Sequence, residues 1–123
     1  MSVQNVPLMI ARLQDLQKTV PEVEAAAVIS LDGLIIASAL PAEISEDRVS
    51  AMSAAILSLA ESISNEMGRG SLEQVFTKGD KGYVILMAIN EQAGLTVLAN
   101  DQAKPGLVFL EMRRVAVDLA ALF

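Results

Sequence analysis

Two stretches of this chain are apolar on both sides of an extended backbone, and they constrain the fold more than any other feature. Residues 82–89 read GYVILMAI and residues 25–29 read AAAVI. A β-strand sends successive side chains to opposite faces of its sheet. A strand with one solvated face therefore alternates apolar and polar residues, and these two do not alternate. Strands of this kind need cover above and below, so the sheet that holds them needs helices on both sides.

The rest of the chain supplies those helices. Val6, Met9, Ile10, Leu13, Leu16 and Val20 recur at helical spacing, with Arg12, Gln14, Asp15 and Lys18 on the polar side. Asn5 is expected to cap this helix, Pro7 suits its first turn, and Pro21 stops it. Residues 24–30 and 34–38 read as strands around Leu31-Asp32-Gly33-Leu34, a hairpin signal in which Asp32 is a turn residue. After Pro41, Ser45 caps a second helix. Glu46 and Asp47 sit where its dipole favours acids, and Gly68 ends it just past Met67. Residues 71–78, 82–89 and 94–99 read as three strands joined by short turn-forming links, hence an antiparallel meander. Beyond Pro105-Gly106, a last helix carries Val108, Met112, Val115, Leu119 and Leu122 on one stripe. The expected architecture is α+β. A five-stranded antiparallel sheet lies in a three-layer sandwich, with the two terminal helices on one face and the middle helix on the other, as one domain over residues 1–123.

Composition then removes whole classes of function. The chain has no cysteine and no histidine, which excludes thiolate metal sites and both Ser-His-Asp and Cys-His catalysis within it. Its net charge is −6 and its aromatics are Phe76, Tyr83, Phe109 and Phe123 only, the wrong sign and too few rings for gripping nucleic acid. Asp15, Glu22, Glu24, Asp32 and Glu43 fall into no EF-hand spacing. No apolar run reaches transmembrane length, and MSVQNVPLMIARL lacks the basic start of a signal peptide, so a cytoplasmic protein without membrane insertion is expected. The expectation is a binding module rather than an enzyme, with no catalytic residue, metal or cofactor.

The middle helix points to a partner. One stripe holds large residues (Val49, Met52, Ile56, Leu59, Ile63), and periodicity assigns it to the helix's own sheet. A second stripe holds Arg48, Ala51, Ala55, Ser58 and Ser62. Alanine is the best helix former, which is one account of it. The other is close approach of a second helix. Arg48 and Glu66 lie either side of a midpoint next to Ser58. Two antiparallel copies crossing there would bring Arg48 of one toward Glu66 of the other, a two-fold contact. The strand at 71–78, with Glu73, Val75 and Thr77, has the polar character of an edge. It is either a protected solvent edge or the place where the sheet continues into a second copy.

Other motifs are weak. Gly79-Asp80-Lys81-Gly82 has the G-x-x-G pattern of backbone clamps, but it joins strands rather than helices. Arg69, Arg113 and Arg114 are either solvated charges or groups that serve another protein's active site.

Three stretches together resemble the roadblock (dynein light-chain) family, in its prokaryotic branch of small-GTPase regulators. They are the hairpin AAAVISLDGLIIAS at 25–38, the small-residue helix from Glu46 to Met67, and LTVLA at 95–99 running into Gly106-Leu107-Val108 and Glu111-Met112-Arg113-Arg114. The resemblance covers nearly the whole chain. It implies a profilin-like fold and a dimer whose middle helices lie side by side over a continuous sheet. It also implies a Ras-like small GTPase as client, activated or scaffolded by arrangement of the GTPase's own groups. On it, Arg48, Ala51, Ala55, Ser58, Ser62 and Glu66 carry over as dimer or partner surface. The alternative function is a structural dimer, an adaptor in a larger assembly with no GTPase.

Overall fold

A computed structural model describes residues 5–123; residues 1–4 of the expected domain lie outside the described residues. The elements follow the expected order: α1 (Val6–Thr19), β1 (Val23–Ser30), β2 (Ile35–Ala39), α2 (Glu46–Glu66), β3 (Val75–Gly79), β4 (Gly82–Ala88), β5 (Ala93–Asn100) and α3 (Pro105–Ala120). All neighbouring strands pair antiparallel, in the order β2-β1-β5-β4-β3. The two doubly apolar strands, β1 and β4, flank β5, away from both edges. Helices α1 and α3 pack on one face and α2 on the other, as the three-layer reading requires.

Local chemistry explains the boundaries. Gly33 takes φ +92 in the β1–β2 turn, and the Ser30 amide donates to the Leu34 carbonyl at 2.8 Å. Ser45 caps α2, its hydroxyl oxygen accepting from the Arg48 amide at 3.2 Å. At the other end Gly68 has φ +69. The Gly68 amide reaches the Asn65 carbonyl (3.1 Å) and the Arg69 amide reaches that of Ser64 (2.7 Å), the paired bonds of a glycine-stopped helix. The turn glycine Gly82 is needed for another reason. A Cβ there would lie 2.2 Å from the Ala99 carbonyl oxygen, so close strand approach explains the second glycine of the G-x-x-G stretch.

Two expectations fail at helix and strand starts. Asn5 makes no side-chain cap; its amide instead donates to the Leu122 carbonyl and ties the start of α1 to the end of α3. The strand expected at 71–78 begins only at Val75 and runs to Gly79. The preceding segment is held by α2 instead. Glu61 accepts from the Leu72 amide at 2.9 Å, and the Ser64 hydroxyl donates to the Gly70 carbonyl at 2.7 Å. The Leu72 amide is thereby taken by a side chain instead of a strand neighbour.

The main core lies between the sheet and the terminal helices. Met9, Leu13 and Leu16 of α1 and Val108, Met112, Val115 and Leu119 of α3 are fully buried against Val28, Ile85, Leu95 and Val97. An ion pair of 2.7 Å, Arg12 to Asp118, joins the two helices at their rim.

Candidate functional site

The face of the sheet beneath α2 is built differently. The residues α2 turns inward are Ser50, Ser53, Ala54 and Leu57, packed with Ala27, Ile29 and Leu86. Ser53 and Thr96 are buried and share a hydroxyl–hydroxyl bond of 2.8 Å, so neither is left unpaired. Leu57 lies over Gly94, where a Cβ would stand 2.6 Å from its Cδ1. A glycine in β5 thus makes the notch into which the largest inward side chain of α2 fits.

This reverses the inward assignment made from periodicity. Met52 is 63% exposed, Leu59 65%, Ile63 55% and Ile56 37%. Val49 alone of that stripe packs against the core beneath α2. Periodicity finds a stripe but does not say which surface it faces. Here the sheet already brings Ile29 and Leu86 to the contact, and small helical residues fit between them. The large residues are left outside as a ridge that Met67, 65% exposed, extends.

The proposed partner residues can now be placed. Arg48, Ala51, Ala55, Ser58, Ser62 and Glu66 are all exposed on α2. Thr77 is exposed on β3, which is an edge strand of the sheet. Val75 is half-buried in the same strand and packs toward the core under α2. Glu73 is exposed but lies before the strand, outside the sheet. Between the ridge and β3 runs a groove of about 280 Å³, lined by Val49, Met52, Ser53, Ile56, Thr77, Val84, Leu86, Thr96 and Leu98. Its walls are apolar except for hydroxyls, and Val84 stays 36% exposed within it. So the α2 side of β4 is only partly covered by its own chain. The outward ridge and the groove are the surface features that sequence reasoning missed. The signal was present, since two stripes on one helix cannot both lie on one sheet, but side-chain size pointed the wrong way.

Among the described residues no cluster of three or more Asp or Glu is placed to hold a metal ion. Arg114 is engaged by Glu111 at 3.0 Å, while Arg113 and Arg69 are exposed. No helix among the described residues is long and apolar enough to cross a membrane. What the arrangement offers is an apolar ridge, an adjoining groove and an unpaired strand edge, all on one side of the molecule.

Comparison with known proteins places the family and the fold. The family model of the Roadblock/LC7 domain matches residues 9–99. The uncharacterized protein MJ1340 of Methanocaldococcus jannaschii is 34% identical over 111 residues, 90% of this chain and 96% of the relative. Among solved structures, Myxococcus xanthus MglB superposes with a TM-score of 0.86 at 18% identity, covering 94% of each chain. Acanthamoeba castellanii profilin IA superposes at 0.65 and 17% identity, covering 95% of this chain and 97% of the profilin. These two likenesses show the fold, which is profilin-like.

Proposed function

The chain belongs to the Roadblock/LC7 family, and on that footing we propose that it is a homodimeric regulator or scaffold of a Ras-like small GTPase. The observation that carries the self-pairing is the ridge of Met52, Ile56, Leu59 and Ile63, exposed on α2 beside the β3 edge. Exposed large apolar residues grouped in this way mark an interaction surface. Two copies related by a two-fold axis would lay their α2 helices antiparallel and bring their β3 edges together through Val75 and Thr77. Arg48 and Glu66 then stand at opposite ends of α2, where opposite charges meet across the pair. The exposed stripe of Ala51, Ala55, Ser58 and Ser62 adds small side chains that let a neighbouring helix come close. Glu73, just outside the strand, belongs to the rim of the same surface.

The client is carried by the family resemblance, which is an argument by analogy. What supports it here is the family match over residues 9–99 together with the exposed ridge and its groove, a surface suited to a protein partner. The test is GTP turnover by a Ras-like GTPase taken from the same genome, with and without this chain. Faster turnover supports activation, and binding without acceleration supports scaffolding. No binding to any such GTPase, with the dimer intact, would leave the adaptor reading in its place.

A further inference from the structure

Five methionines fall among the described residues, and they divide sharply. Met9 and Met112 are fully buried and Met87 is 4% exposed, whereas Met52 and Met67 are 63% and 65% exposed. Both exposed methionines lie on the outward ridge of α2, one at each end of the stripe Met52, Ile56, Leu59, Ile63, Met67. In the antiparallel self-contact above, which crosses next to Ser58, both thioethers lie in the apolar seam, Met52 toward one end of it and Met67 toward the other. A thioether is an adaptable apolar contact, and its sulfoxide is polar and disrupts interfaces rich in methionine.

We infer that Met52 and Met67 are a paired oxidation site through which hydrogen peroxide dissociates the self-contact. The inference rests on the self-pairing reading above. The reaction balances within its two reactants. A sulfur lone pair attacks one peroxide oxygen, the S–O bond forms and the O–O bond breaks. The departing oxygen takes the electron pair and the proton and leaves as water. Sulfur is oxidised by two electrons and the peroxide is reduced by two. Oxidation proceeds on the free protomer, where both thioethers face solvent, and the sulfoxide then holds that protomer apart. The buried methionines are shielded by the core, so the fold is spared while the contact is lost.

The experiment treats the full chain with hydrogen peroxide at high and low protein concentration. Peptide mass spectrometry follows the gain of one oxygen at each methionine, and light scattering follows the particle mass. The expected result is gain at Met52 and Met67 ahead of Met9, Met87 and Met112, faster in dilute protein. The particle mass should fall twofold, and the dissociation constant should rise on the order of a hundredfold. The Met52→Leu/Met67→Leu variant should stay a dimer under the same treatment, and methionine sulfoxide reductase should restore the unsubstituted one. A two-protomer mass after both sulfoxides have formed overturns this inference alone, as does equal dissociation of the leucine variant. A one-protomer mass before any peroxide is added overturns the self-pairing reading and this inference together.

Discussion

On one face of the sheet, α1 and α3 bring Met9, Leu13, Leu16, Met112 and Leu119 into full burial. On the other, α2 brings two serines, an alanine and one leucine, and turns its large residues outward. The first face is finished within the chain and holds the protomer together. The second is only partly covered, by a helix seated on small residues around a Leu57–Gly94 notch. The difference teaches that the apolar content of this chain, 53% of its residues, serves two ends. One part stabilises a protomer, and the other stays exposed on α2, where we propose that it recognises a second molecule.

Substitutions separate the two roles. The largest loss is expected on the finished face. Leu13→Ala or Met112→Ala should lower unfolding free energy by about 3–5 kcal/mol in denaturant titrations, because each leaves a cavity among fully packed neighbours. Leu57→Ala should lie near about 2 kcal/mol, since α2 can settle onto a shallower contact. Equal losses at the two faces would break the contrast.

Gly94→Ala sharpens it. The new Cβ would stand 2.6 Å from Leu57 Cδ1, so α2 must lift or Leu57 must change rotamer. A loss of about 1–3 kcal/mol is expected, with amide exchange quickening in α2 and not in α1 or α3. Quickening spread evenly over all three helices would mean the faces are not independent. A smaller effect is expected at the hydroxyl pair beneath α2. Ser53→Ala or Thr96→Val alone should cost about 1 kcal/mol, because each strands the other hydroxyl in a buried site. The double variant should lose less than the two singles combined, which a double-mutant cycle in denaturant would read.

Most of the fold was legible in the sequence because its signals are local. The doubly apolar strands dictated three layers. The Asp-Gly turn placed the first hairpin, and Ser45 with Gly68 bounded α2 to within a residue. The failures were at points where distant contacts decide. Asn5 is drawn to the Leu122 carbonyl, a partner 117 positions away. Leu72 is held by the Glu61 side chain, and Gly70 just before the segment by Ser64, rather than by a strand neighbour. On α2 both stripes were visible, yet choosing the inward one required knowing what the sheet presents beneath it. Gly94 lies 37 positions from Leu57 and Thr96 lies 43 positions from Ser53, and nothing in the local pattern announces either contact.

The ridge on α2 as a self-recognition surface is the centre of this account, and particle mass in solution tests it most directly. Leu59 is 65% exposed, so replacing it leaves the protomer's packing alone. Light scattering across a concentration series should give two protomers for the unsubstituted chain. It should give one for Leu59→Arg, with an unchanged far-ultraviolet circular dichroism spectrum. A one-protomer mass for the unsubstituted chain at every concentration, or a two-protomer mass that survives Leu59→Arg, would contradict it.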